Sequence, residues 1–156
     1  MNLRTRLSRS EGYRLLGMYD ESILILEDIP HGKERWHSLV VEARYNTYRD
    51  AEAWRLTNAM SGPMCRRRPN SLKWRFNYMD GMIKLGEIDD AIEALEEVKD
   101  RFASIAGFIF RLAKCQAVLG NVEEAKKLVK QAIEKDAKYK MEFAEDSAFD
   151  GVWESF

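Results

Sequence analysis

The side chains best suited to metal or thiol chemistry are two histidines and two cysteines, scattered along the chain. His31 and His37 have no Cys or Asp at the spacing of zinc ligands, and Cys65 and Cys115 form no CxxC pair. The sequence therefore predicts neither a metal site nor a disulfide framework. Three arginines follow Cys65 and favour a reactive thiolate, but no predicted base or resolving cysteine accompanies it, so an incidental loop cysteine is the simpler interpretation.

Three pairs of adjacent carboxylates invite an acid–base interpretation: residues 89–90, 96–97 and 123–124. Adjacent residues on a helix point about 100° apart, so the two members of a pair do not face the same atom. Solvated helix faces and interaction with the helix dipole explain these pairs better. The chain also lacks the glycine-rich loops that hold phosphates. We therefore expect neither an enzyme nor a bound cofactor.

The segment CRRRPNSLKWR at residues 65–75 has five positive charges and a tryptophan. Such a segment can bind phosphate or an acidic peptide, and Arg66, Arg67 and Arg68 are its candidate binding residues. Alternatively, it is a solvated basic loop that leads into a helix capped by Asn70 or Ser71.

Composition indicates one globular domain without a membrane span: 156 residues, of which 46% are apolar and 33% charged. The absence of a targeting signal and the unpaired cysteines predict a cytoplasmic location. Residues 1–75 carry 14 Lys and Arg against 9 Asp and Glu, whereas residues 76–156 carry 11 against 17. The resulting charges of +5 and −6 suggest an oriented partner or head-to-tail association, or else ordinary surface variation. A nucleic-acid partner is not expected, because the net charge is only −1.

A 34-residue repeat organises the chain: LGEIDDA at residues 85–91 returns as LGNVEEA at residues 119–125. Gly86 and Gly120 are suited to end a helix, and the carboxylates that follow suit the first turn of the next one. Ala91 and Ala125 are small enough for the second helix to pack closely against the first. Each unit is therefore predicted to be a helix–turn–helix hairpin.

This pattern resembles the tetratricopeptide repeat, a 34-residue helical hairpin that stacks into a superhelix. The resemblance implies an all-α fold, a right-handed α-α superhelix or solenoid of antiparallel helix hairpins, over a single domain of residues 1–156. The repeats fall at about residues 3–33, 34–71, 72–105 and 106–139, with a C-terminal cap at 140–156. In the first repeat the motif reads LGMYDES, with Ser22 in place of alanine.

The second repeat is degenerate, because it lacks the glycine of the motif. We expect its helices at about 34–47 and 50–61, followed by a long connection at 62–70 that contains Pro63 and Pro69. The C-terminal cap is similar to the tails of some bacterial tetratricopeptide proteins. Its apolar residues suit one face of a final helix or of two short ones: Phe143, Phe149, Val152, Trp153 and Phe156.

In the tetratricopeptide family, the first helices of successive repeats line a concave groove that binds peptides or partner helices. The resemblance places eight residues in a peptide-binding groove: Lys73, Phe76, Asn77, Asp80, Lys84, Phe110, Arg111 and Lys114. It implies that Asn77 hydrogen-bonds the backbone of a ligand, and Arg111 is suited to hold a carboxylate. Alternatively, Phe76 and Phe110 pack between helices and the face stays empty.

Two functions remain open from the sequence. The first is an adaptor or scaffold that binds an unknown protein or peptide in the groove. The second is a self-associating structural module, in which the basic half of one copy meets the acidic half of another to form a homo-oligomer.

Overall fold

A computed structural model describes residues 1–154, and within them the chain is helical without a β-strand. Its α-helices are α1 (Leu3–Leu15), α2 (Tyr19–Glu27), α3 (Ser38–Asp50), α4 (Trp54–Arg67), α5 (Leu72–Lys84), α6 (Ile88–Glu96), α7 (Lys99–Phe102), α8 (Ala106–Val118), α9 (Val122–Lys135), α10 (Tyr139–Glu145) and α11 (Asp150–Trp153). Two 3₁₀ turns, Glu34–Trp36 and Ser147–Phe149, complete the order. Consecutive helices pack as hairpins, α1 with α2, α3 with α4 and α8 with α9, which confirms the predicted all-α hairpin fold.

The chain divides into two compact units, Met1–Tyr78 and the part from Met79 onwards. Because residues 76–78 carry no charge, the first unit has the net charge of +5 and the second that of −6. We describe each unit by itself, and the single domain over residues 1–156 stays a prediction.

Four hairpin turns end their first helix in the same way, with a residue in the left-handed conformation. In each turn the N–H of the following residue donates to the carbonyl five residues earlier, at 2.8–2.9 Å, which closes the last helical turn. The left-handed residues have φ of 73°, 54°, 77° and 80°: Gly17, Glu52, Gly86 and Gly120. Glu52 therefore stands at the glycine position of the degenerate second repeat.

The second repeat begins later than its sequence predicts. Residues 34–36 form a 3₁₀ turn, and His37 is extended with ψ of 138°, so α3 begins only at Ser38. Nδ1 of His37 accepts a hydrogen bond from the N–H of Leu39 at 3.3 Å, so this histidine caps the helix. The expected helices at 34–47 and 50–61 are thus displaced to α3 and α4.

Helix α4 also runs through most of the connection expected at residues 62–70. It contains Pro63, which gives up one helical hydrogen bond, and it ends only at Arg67. The reason is packing: Met60 and Met64 are each 3% exposed and lie in one apolar cluster with Trp74. Burial of these side chains outweighs the cost of a proline inside the helix.

Replacing Glu52 by glycine is expected to stabilise the protein by about 0.5–1 kcal/mol, because glycine adopts the left-handed conformation without the steric cost of Cβ. The side chain of Glu52 is exposed, so little packing is lost. Urea denaturation measures the change. In the matched control, Glu93→Gly on the exposed side of α6, the same substitution is expected to destabilise by about 1 kcal/mol. Destabilisation by both variants would contradict the role of Glu52.

In each of these hairpins, the residue five positions after the left-handed one is small and completely buried in the second helix: Ser22, Thr57, Ala91 and Ala125. Where the residue is polar, its hydroxyl donates a hydrogen bond to a backbone carbonyl. Oγ of Ser22 donates to the carbonyl of Ser10 at 2.9 Å and lies 3.1 Å from Oγ1 of Thr47. Close helix packing is therefore kept in the first two repeats without alanine.

The C-terminal segment folds back onto the last hairpin of the second unit as short helices, α10 and α11. Phe143, Phe149 and Val152 are at most 4% exposed in one cluster with α8 and α9. Trp153 stacks on Phe143 with ring centres 4.5 Å apart. Phe156, also expected on this face, lies outside the described residues.

Candidate functional site

Helix α5 positions five of the eight residues predicted to bind a peptide, and they share one face of the helix at helical spacing. Ser71 precedes the helix, and its Oγ accepts a hydrogen bond from the N–H of Trp74 at 3.4 Å. Lys73 and Lys84, near the two ends of the helix, are exposed. Between them Phe76, Asn77 and Asp80 are half-buried. We call these five residues the α5 face.

Lys73 is paired within the first unit. Its Nζ lies 2.5 Å from Oε1 of Glu42, a residue of α3, and the Lys73 side chain is 55% exposed. An ion pair this exposed to water contributes little stability. Lys73 is therefore available to exchange Glu42 for an acidic group on a ligand.

Asn77 has a buried side-chain amide whose hydrogen bonding is incomplete among the described residues. Its Nδ2 is buried and, within the described residues, donates no hydrogen bond. A buried amide without an acceptor costs about 1–3 kcal/mol, so an additional carbonyl at this position would be stabilising.

Arg111 and Asp80 hold each other within the second unit. Nη2 of Arg111 lies 2.7 Å from Oδ2 of Asp80, and Nη1 donates to the carbonyl of Gly107 at 3.1 Å. The side chain of Arg111 is only 14% exposed. A ligand carboxylate would have to compete with Asp80 for this guanidinium, which makes Arg111 less suited to carboxylate binding than its position suggests.

Phe110 and Lys114 do not line a groove, which corrects their sequence-based interpretation. Phe110 is 3% exposed, with its ring centre 4.7 Å from that of Tyr139 and 5.3 Å from that of Phe149. Nζ of Lys114 lies 2.7 Å from Oδ2 of Asp146, beneath the same C-terminal segment. The physical reason is that residues 139–153 cover this face of α8.

The predicted basic loop is largely helical. Arg66 and Arg67 form the last turn of α4, and Arg68 follows as its C-cap, so the arginines complement the helix dipole. All three are exposed. The guanidinium of Arg67 lies over the ring of Trp36, 4.1 Å from its centre, in a cation–π contact. Binding of phosphate or an acidic peptide by these arginines stays a prediction.

Neither cysteine has the environment of a reactive thiol. Cys65 lies on α4 and is half-buried. Burial raises the pKa of its thiol, and the opposing effect of Arg75 and Arg66 is smaller. Cys115 is fully buried, and burial raises its pKa to about 11. Cys115 therefore packs as a small apolar residue, as expected.

Two further features of the described chain bear on function. Within residues 1–154, no three His, Cys, Asp or Glu side chains come together as a metal site would require. Over the same range no helix has the length and apolar character to cross a bilayer.

Sequence reasoning missed a charged cluster in the first unit, which we call the Glu27 cluster: Glu27, Arg35, Arg44 and Tyr48. Arg44 donates to Oε1 of Glu27 from Nη2 at 2.8 Å and from Nε at 3.1 Å, and Arg35 and Tyr48 also donate to this carboxylate. Burial raises the pKa of Glu27, but the hydrogen bonds from Tyr48, Arg44 and Arg35 outweigh it and lower the pKa to about 2. No short sequence motif indicates this cluster, because its members come from three separate elements.

Part of the chain matches a known repeat family. Residues 82–141 match the sequence profile described as tetratricopeptide repeat. Two solved structures of MamA, designated AMB-1 and MSR-1, have a similar fold at 17% identity. The first has a TM-score of 0.60 over 97% of this chain and 84% of its own, and the second 0.59 over 96% and 87%. Among proteins of curated function, none matches this sequence significantly.

Proposed function

We propose that the chain is a protein–protein interaction adaptor or scaffold that binds a peptide or partner protein through the α5 face, because residues 82–141 match the tetratricopeptide repeat. The observation that carries this proposal is the composition of that face. Two exposed lysines flank a half-buried aromatic ring, so charged groups surround an apolar anchor. Protein interfaces often have this arrangement, with an aromatic hot spot inside a polar rim.

The two lysines also indicate the chemistry of the partner. Lys73 already binds a carboxylate, that of Glu42, in an exposed pair. A partner segment with acidic side chains and an apolar residue between them would pair with Lys73 and Lys84 and cover Phe76. The amide of Asn77 would gain an acceptor if a partner carbonyl reached it.

We expect the double variant Lys73→Glu/Lys84→Glu to weaken partner binding at least about tenfold, because it places negative charge opposite an acidic partner. Partners are first captured from the source cell with the wild-type protein and identified by mass spectrometry. Their affinity for the purified wild type and variant is then measured by calorimetry.

The matched control is Lys127→Glu/Lys135→Glu, which makes the same charge change at two exposed lysines of α9. It is expected to keep the wild-type affinity. Circular dichroism checks that both variants fold. If the α5 variant retains the partner, or if both variants lose it equally, the α5 face is not the binding surface.

The second candidate function is a self-associating module. It is favoured by the opposite charges of the two compact units, +5 and −6. Association through these charges would weaken as salt shortens the Debye length from about 10 Å at 0.1 M to about 3 Å at 1 M. Sedimentation equilibrium at the two salt concentrations distinguishes the candidates, because an adaptor without self-association remains monomeric at both.

A further inference from the structure

A cavity of about 430 Å³ lies in the first unit, between α2, α3 and α4. Apolar side chains form one part of its wall: Ile23, Trp36, Leu56 and Met60. The Glu27 cluster forms the other part. The volume lies in the range of small-molecule sites, about 300–1,000 Å³.

The Glu27 cluster has one positive charge in excess, because two guanidinium groups share a single carboxylate. Arg35 is 8% exposed and Arg44 is 9% exposed, so both charges are largely withdrawn from water. Arg67 adds a further positive charge against the ring of Trp36, which lines the cavity. An anion inside the cavity would therefore be attracted more strongly than on an open surface.

Hydrogen-bonding capacity remains in both arginines. Glu27 already accepts from four donors: one of Arg35, two of Arg44, and the hydroxyl of Tyr48. Nη1 of Arg35 donates to the carbonyls of Glu27 and Ile29 at 3.2 and 3.1 Å and so closes the C-terminal end of α2. Nε of Arg35 and Nη1 of Arg44 donate to no group in the described part of the chain.

We propose that this cavity binds a carboxylate with an apolar body, whose charged end pairs with Arg35 and Arg44 and whose apolar part packs against Trp36, Leu56 and Met60. A carboxylate supplies the single negative charge that balances the cluster, and its oxygens accept from the remaining donors. The apolar wall excludes small hydrophilic anions as good ligands, because they would leave that wall unfilled. The chemistry is shared by a free organic acid and by the C-terminus of a peptide with an apolar last residue.

The experiment compares four probes with the purified full chain by calorimetry. They are 4-phenylbutyrate, its neutral amide, a tetrapeptide that ends in a free leucine carboxylate, and the same peptide amidated. Saturable binding of either carboxylate, with its amide at least about tenfold weaker, is the expected result. The acid that binds more tightly identifies the source of the ligand. Equal binding of acid and amide, or no binding of either acid, would overturn the proposal.

Two variants locate the site. Glu27→Gln removes the internal competitor, so carboxylates should bind more tightly even though the protein is less stable. Ala59→Trp fills the cavity from an exposed position and should abolish binding while circular dichroism shows a folded chain. In ¹⁵N-labelled protein, the indole N–H of Trp36 should shift when the acid is added. Binding that survives Ala59→Trp would place the ligand elsewhere and refute the proposal.

Discussion

Replacing Phe149 by alanine is expected to destabilise the protein by about 3–5 kcal/mol. Phe149 is completely buried, and its ring centre lies 5.3 Å from that of Phe110 and 4.9 Å from that of Phe143. Truncation removes the transfer free energy of the ring and leaves a cavity between α8 and the C-terminal segment. Guanidinium denaturation followed by circular dichroism measures the loss.

The matched control is Trp153→Ala. Trp153 also stacks on Phe143, but it is 44% exposed, so its removal should cost about 1 kcal/mol. If the two substitutions destabilise equally, the C-terminal segment does not form the buried cluster described above. Fluorescence of the dye ANS provides a second readout, since Phe149→Ala should expose Phe110 and increase dye binding.

Replacing Asp146 by asparagine is expected to cost about 3 kcal/mol, because it leaves the ammonium of Lys114 buried without a carboxylate. Lys114 is only 7% exposed. Asparagine keeps an oxygen that can accept from the N–H of Ala148, a bond of 3.0 Å in the wild type, so the helix cap is retained. The double variant Lys114→Met/Asp146→Asn should recover most of the loss, because neither charge then remains.

The pH dependence of the stability difference between the wild type and Asp146→Asn is a further check. Burial raises the pKa of Asp146, but the charge and hydrogen bond of Lys114, the N–H of Ala148 and the charge of Lys84 together outweigh it, so the pKa lies below its ordinary value of 3.8. The ion pair therefore stabilises fully above pH 3.8 and is lost as the pH falls through the lower pKa of the folded state. The stability difference between the wild type and Asp146→Asn should shrink over that interval. A difference that does not change with pH would contradict the ion pair.

The hairpins could be predicted from sequence wherever local chemistry marks them. Gly86 and Gly120 end their helices as expected, because glycine at a left-handed position leaves a recognisable residue type. Glu52 adopts the same conformation without that signal, so the sequence predicts the helices of the second repeat a few residues before α3 and α4 begin. Pro63 predicts that the helix ends before it, whereas α4 continues to Arg67. A proline in the sequence does not reveal that Met60 and Met64 are buried.

The candidate site was harder to predict than the fold. Phe110 and Phe76 have the same spacing in their repeats, yet the C-terminal segment buries Phe110. Helical periodicity states which residues share a face, but what covers that face depends on residues distant in sequence. The Glu27 cluster could not be predicted from sequence for the same reason, because residues 27, 35, 44 and 48 come into contact only when the hairpins pack.

The C-terminal segment also limits how this protein can be re-engineered. Designers lengthen repeat proteins by fusing further hairpins to the last one, which requires a free apolar surface on its helices. Here residues 139–153 already occupy that surface through Tyr139, Phe143 and Phe149. A fusion at the C-terminus would therefore append a separate domain, whereas a longer array requires the new hairpin to replace these residues and supply its own carboxylate for Lys114.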